Sequence, residues 1–318
     1  MNANIIINIL IVSICVVFLN WAFLDSANGL KRIGINTLFA SFSVLIIRLL
    51  IPFSVPFPLK LSIAFPYFSN TINSEIRLFN FTTNTIVLLL SIWFIVSFIL
   101  LLRLIYQYIK LRNLRRVLIE NNKITHTYEQ TFVRLKSLFS FSKHREIRVV
   151  SSDLISEPFS FGITNSVIVI PNKEYKHNEL EFILKHELFH IKTNDSFWKL
   201  LFCILKIIYW WLPTIYIASN QFSEYLEIRC DNNCLTDQLY STKINYLECL
   251  LEELRERRNN INNPLTISMA SNKSLIEKRF NIVLSKTELN KNNKRYVKII
   301  IGLIFIISFG LTFLPYTH

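Results

Sequence analysis

The sequence predicts a mostly α multi-pass membrane protein that carries an α+β domain. Hydrophobic residues make up 51% of the 318, and the mean hydropathy of +0.35 is too high for an ordinary soluble domain of this length. Four apolar runs of about membrane-spanning length surround a more polar stretch. That stretch holds most of the charge. Of the 35 Lys and Arg, six lie at or before Arg103 and the other 29 between Lys110 and Lys298, for a net charge of +13.

The first run, Ile5 to Leu24, is interrupted only by Asn8, Ser13 and Asn20. No Lys or Arg precedes it, so a retained transmembrane helix is expected rather than a cleaved signal peptide. Residues 25–33 form a short polar loop with Lys31 and Arg32. The second span covers 35–51 and is closed by Pro52, with Arg48 placed to snorkel to the interface. Residues 53–83, with Pro56, Pro58, Pro66 and many aromatics, read as a loop on the membrane surface. The third span, 86–106, leads into Arg103, Lys110, Arg112, Arg115 and Arg116, a basic collar that marks the cytoplasmic side. Val297 to Leu314 is a fourth span, entered from Lys291, Lys294, Arg295 and Lys298. These runs agree on one topology in the cell membrane: both termini outside, 25–33 inside, 53–83 outside and 110–296 in the cytosol. The domains are thus a three-helix membrane region (1–109), a cytosolic domain (110–296), and a last helix with a short tail (297–318).

Within the cytosolic domain, Tyr128 to Phe141 has helical periodicity. Ile147–Val150 and Ser166–Pro171 are strand-like and are joined through Ser156 to Gly162. A helix begins at Asn178, with Glu181 three residues on in a capping arrangement, and runs through His190. A strand ahead of such a helix can hold an extended peptide by β-addition. Asn194 or Asp195 can cap the next helix. The apolar segment 198–218, with Trp198, Trp210 and Trp211 but also Lys199, Lys206 and Pro213, reads as re-entrant or interfacial. A full fifth span there would divide 186–190 from 227–231 across the membrane. Gln221–Leu239 and Ile244–Arg258 are further helices, and 259–274 is a polar loop around Pro264. Residues 274–284 suit either an ordered helix or an exposed junction, open to cutting around Lys278-Arg279-Phe280.

The basic charge has no compact basic helix or zinc-ribbon spacing, which speaks against direct nucleic-acid binding. Anionic lipid is the simpler partner. Cys15, Cys203, Cys230, Cys234 and Cys249 form no Cys-x-x-Cys pair and imply no disulfide framework. Cys230 and Cys234 are spaced for neighbouring helical turns and read as packing residues.

The chemistry centres on Lys185-His186-Glu187-Leu188-Phe189-His190-Ile191. Four residues apart on a helix, His186 and His190 project from one face and can grip one metal ion. Glu187 lies beside the first of them, where a carboxylate can accept a proton from water that the metal acidifies. A hydrolytic site wants a third protein ligand. Glu227 is the best candidate, because Asp231 lies one turn further on and can fix a His ring through its other nitrogen. The competing reading makes Glu224, Glu227 and Asp231 a solvated acidic face.

The pairing of His186-Glu187-x-x-His190 with Glu227-x-x-x-Asp231 is similar to the gluzincin pattern of thermolysin-like and membrane-embedded zinc peptidases. The wording HELFHIKTND and LEIRCD, with PFSFGI and VIVIP ahead and WWLP behind, resembles the BlaR/MecR integral-membrane peptidases over about residues 1–315. The resemblance implies an α+β gluzincin metalloprotease domain, a Zn2+ cofactor and cytosolic proteolysis. It implies His186, His190 and Glu227 as ligands, Glu187 as catalytic base and Asp231 as the orienting carboxylate. The family's sensor-transducers carry a penicillin-binding domain after the fourth span. This sequence stops at His318, so beta-lactam sensing is not carried over. The expected function is limited cleavage of a regulatory protein, such as a transcriptional repressor, or of the chain itself, in transmembrane signalling. The lipid bilayer is the other partner, and the arrangement is compatible with an oligomer. Membrane-protein quality control is the alternative enzymatic role. A non-catalytic zinc-binding transducer is the alternative of another class, and the intact Glu187 argues against it.

Overall fold

The structure is a computed structural model that describes residues 3–24, 34–51, 75–78, 81–122, 124, 126–139, 141, 145–153, 155, 157–235, 240–259, 273–284, 299 and 302. The chain is mostly helical with a small sheet. In order the elements are α1 (Ala3–Leu24), α2 (Ile35–Leu50), β1 (Glu75–Leu78), β2 (Phe81–Asn84), α3 (Thr85–Glu120), α4 (His126–Leu138), β3 (Ile147–Ser152), β4 (Phe159–Phe161), β5 (Ser166–Pro171), α5 (His177–Lys192), α6 (Asp195–Ile208), α7 (Pro213–Leu235), α8 (Tyr240–Asn259) and α9 (Lys273–Leu284). They fall into two compact units: Met1–Tyr106 with Phe202–Phe222 and Leu289–His318, and Gln107–Leu201 with Ser223–Glu288.

The first unit gathers the apolar helices. Polar side chains of neighbouring segments bond to α1: Ser41 Oγ donates to Asn20 Oδ1 (2.7 Å), Thr214 Oγ1 to Ser13 Oγ (2.7 Å) and Gln221 Nε2 to the Val17 carbonyl (3.1 Å). Such bonds satisfy polar atoms that an apolar surrounding would otherwise strand. The α6 C-terminus leaves its last carbonyls without intrahelical partners. Trp93 Nε1 donates to the Ile208 carbonyl (2.9 Å) and Ser97 Oγ to that of Ile207 (3.1 Å), both from α3. The turn that follows is fixed by the Tyr209 hydroxyl on the Leu49 carbonyl at 2.7 Å. Over Val87–Glu120, α3 is long and apolar enough to cross a membrane, while Ile9–Leu24 and Ile35–Leu50 are shorter apolar helices. Residues 75–84, expected as loop, contain the antiparallel β1–β2 pair. The fourth expected span, 297–314, and the polar loops 25–33 and 259–274 lie almost wholly outside the described residues.

The second unit is a three-stranded sheet with helices on both faces. Its order is β3-β5-β4, with β3 parallel and β4 antiparallel to the central β5. A central strand covered on both faces should read as an unbroken apolar run, and Val167-Ile168-Val169-Ile170 does so, every residue buried. Ile168 and Ile170 pack with Phe132 and Leu135 of α4 and with the Leu180, Ile183, Leu184, Leu188 and Ile191 stripe of α5. Val167 and Val169 face the other way, onto Leu118 of α3. β4 is an edge strand beside α5, in a stretch that periodicity assigns to the connection. It is joined to β5 through Gly162, whose φ of +101° and lack of a Cβ suit a turn where that atom would lie 2.3 Å from the Asn165 carbonyl oxygen.

Two expected helix starts differ in detail. α5 begins at His177 with Lys176 as N-cap and no side-chain cap bond. Glu181 pairs instead with Arg134 of α4 at 2.7 Å. Residues 274–284 form the ordered helix α9, with Leu275, Ile276, Arg279, Ile282 and Val283 buried.

Candidate metal centre

The centre is built where α5 meets α7. The apolar stripe of α5 packs against the sheet, and Glu187 on the same helix is buried, 8% exposed. His186 and His190 project from the neighbouring face, their ring centroids 4.7 Å apart. Their Nε2 atoms converge to 3.0 Å. Opposite them, α7 delivers Glu227, with Oε2 3.4 Å from His186 Nε2 and Oε1 3.7 Å from His190 Nε2. The acidic residues of 227–231 are therefore not a solvated face: Asp231 is 1% exposed.

Behind each imidazole stands a carboxylate, and behind each carboxylate a guanidinium. On one side, His190 Nδ1 lies 2.7 Å from Asp195 Oδ2. The second Asp195 oxygen accepts from Thr193 Oγ1 (2.6 Å) and from Arg229 Nη2. On the other side, His186 Nδ1 is 3.4 Å from Asp231 Oδ1 and 3.3 Å from the Tyr246 hydroxyl, which itself donates to Asp231. Arg279 of α9 clamps Asp231 through Nε (2.6 Å) and Nη2 (2.7 Å), and its Nη1 is 3.7 Å from Glu227 Oε2. Asp231 thus lies behind His186, fixed by Tyr246 and Arg279. The helix-cap reading of Asp195 misses its main partner, His190. Arg229, Tyr246 and Arg279 escape sequence reasoning because their partners lie elsewhere in the chain. The one local signal is for Asp195, whose position five residues after a His keeps it within reach once the helix ends at Lys192.

The electrostatics follow from this packing. Burial alone would lower the His186 pKa, but hydrogen bonds with Cys234 and Glu227 and the charges of Asp231 and Glu227 outweigh it and hold it well above the imidazole range. Burial alone would raise Glu227, but the His190 charge, the His186 hydrogen bond and Arg279 pull it well below the carboxylate range. Asp195 is likewise lowered, against its burial, by His190 and Arg229.

The donor set suits a divalent metal. Two imidazole Nε2 atoms 3.0 Å apart, with a carboxylate at similar distance, approach the edge lengths of a tetrahedron whose metal–ligand bonds are about 2.0–2.2 Å. Cys230 Sγ also comes within 4.8 Å of a donor atom on each histidine. Its S–H, however, is directed at the His186 carbonyl at 3.2 Å, and burial beside Cys234 and Asp231 pushes its pKa well up. A thiol binds metal as thiolate.

A paired-histidine helix beside an edge-stranded sheet, with a carboxylate delivered from a second helix, is the arrangement of a metal-dependent peptidase. The chain belongs to the BlaR1 peptidase M56 family, whose pattern matches residues 3–283. It is 28% identical to the regulatory protein BlaR1 of Bacillus licheniformis over 170 residues, 51% of this chain and 27% of that protein. It is 27% identical to the methicillin resistance mecR1 proteins of Staphylococcus aureus and Staphylococcus epidermidis over 225 residues, 69% of this chain and 38% of theirs. The chain thus spans roughly a third of the length of these curated relatives.

Proposed function

We propose that this chain is an integral-membrane zinc endopeptidase that acts in regulatory signalling. The observation that carries the reading is the convergence of His186 Nε2, His190 Nε2 and the Glu227 carboxylate on one point. Those three residues would hold Zn2+. When bound, zinc supplies Lewis-acid polarisation of a scissile carbonyl and acidifies the attacking water. Glu187 accepts that water's proton and returns it to the leaving amine. Asp231 orients His186 from behind. Among the described residues β4 pairs on one side only, and its other main-chain groups, beside α5, can hold an extended peptide. An extended substrate is what an endopeptidase needs, since the reacting amide must be drawn out of folded structure.

Membrane embedding rests on α3 and on the apolar runs 5–24, 35–51 and 297–314, with the catalytic domain of 110–296 in the cytosol and both termini outside. Segment 198–218, the end of α6 and the start of α7, is read as a re-entrant or interfacial element. The relatives are named as regulatory and resistance proteins, which supports a protein substrate of regulatory kind: a transcriptional repressor, or the chain itself.

Metal analysis and a cleavage assay on the detergent-purified chain test the reading. His186→Ala and Glu227→Ala are expected to lose most of about one zinc per chain. Glu187→Gln is expected to keep zinc and lose roughly 10²–10⁴-fold in cleavage rate. Full zinc and full activity in Glu227→Ala would sink the ligand set.

A further inference from the structure

The carboxylate expected to orient the centre is Asp231, yet the shortest imidazole–carboxylate contact belongs to Asp195. It sits 2.7 Å from His190 Nδ1, against 3.4 Å for Asp231 and His186. Asp195 is 2% exposed and is the first residue of α6, reached from α5 through Thr193 and Asn194. Asn194 turns the chain with φ 56°, and Arg145 Nη1 donates to its Oδ1 at 2.7 Å. The turn holds the carboxylate back against the last turn of α5 while α6 leaves in a new direction.

The Asp195 carboxylate has a separate partner set on each oxygen. Oδ2 meets His190; Oδ1 accepts from Thr193 Oγ1 and Arg229 Nη2. Arg229 is itself fixed over the Tyr225 ring at 5.4 Å and comes from α7, two residues after Glu227. One helix therefore delivers the third ligand and anchors the group behind the second. A charged acceptor at Nδ1 selects the ring tautomer with Nδ1–H and leaves Nε2 free to donate its lone pair to a metal.

We propose that Asp195, held by Arg229 and Thr193, is the positioning residue of His190, a role that rests on reading His186, His190 and Glu227 as the zinc ligands. Asp195 fixes the ring plane and tautomer and raises the basicity of Nε2. Thr193 contributes one neutral bond to the less demanding oxygen, so its loss matters little.

Zinc affinity of the full chain in detergent, measured by competition with a chromophoric chelator, tests this. Cobalt(II) spectra of the loaded protein supply a readout that depends on ligand geometry. Asp195→Ala is expected to weaken zinc roughly 10–100-fold and to shift the cobalt ligand-field bands. Asp195→Asn keeps an acceptor for Nδ1–H without its charge, so it is expected to recover the wild-type cobalt bands with a zinc affinity about 3–10-fold low. Thr193→Val is expected to stay within about twofold. Hydrogen-exchange protection of β3 and β5 reports whether each variant is folded. If Asp195→Ala does not fold, the isosteric Asp195→Asn decides alone: wild-type zinc affinity in it overturns the proposal. Zinc lost in His186→Ala but held at wild-type strength in folded Asp195→Ala overturns the role of Asp195 and leaves the ligand set standing. Wild-type zinc in His186→Ala removes the ligand reading, and this proposal with it.

Discussion

His186 and Glu227 show what a single pair of residues does to the pH behaviour of the centre. The His186 pKa is raised, so its contribution to metal-free stability is complete below the unfolded value of about 6.5 and is lost as pH rises through the folded value. The Glu227 pKa is lowered, so its contribution is complete above the unfolded value of about 4.3 and is lost as pH falls through the folded one. The metal-free protein should therefore have its highest thermal midpoint between those limits, at about pH 4.3–6.5, on the acid side of neutrality. Zinc bound by His186 and Glu227, as proposed, would have to displace a proton held by this pair. Loading the metal-free protein at pH 7 in weak buffer is expected to release about one proton per zinc, read with an indicator dye. No release would mean that His186 is already neutral before the ion arrives. Local spacing is what singles out the pairs His186/His190 and Glu227/Asp231 in the sequence, because i, i+4 residues share a helical face. The guanidinium behind Asp231 is 48 residues away, and no local pattern encodes such a pairing.

At the scale of elements, legibility follows length and periodicity. β5 is readable from its run of β-branched residues, and α5 from a 3.6-residue stripe that stays intact around Glu187. β4 is not, since three residues are too few to establish a period of two, and its place in the sheet is fixed by pairing with β5. The Gly162 turn is the device that sets this pairing. Gly162→Ala forces a Cβ toward the Asn165 carbonyl oxygen and a side chain into a left-handed conformation, and is expected to cost about 1–3 kcal/mol. The drop should appear in the thermal midpoint, with lost exchange protection concentrated in 159–171. An unchanged midpoint with unchanged protection would mean that the turn relaxes freely. If β4 is the edge on which substrate lies, the same variant should raise KM more than it lowers kcat.

On the scale of the whole molecule, the apolar runs and the basic collar after Arg103 yield a definite arrangement, and reporter fusions test it. A fusion at residue 140 is expected to report cytosol and fusions at 70 and 318 the outside; an external signal at 140 would overturn the topology. What composition does not reveal is how far α3 continues. The expected span ends at Tyr106, where hydrophobicity falls, yet the helix runs unbroken to Glu120 because Lys110–Arg116 are good helix formers and no Gly or Pro intervenes. Thirty-six residues make a rod of about 54 Å, against a hydrocarbon core of about 30 Å. Leu118, near its end, is 1% exposed and wedged against Val150, Val167 and Val169. Leu118 thus ties β5 directly to the end of a helix that is long and apolar enough to span a bilayer.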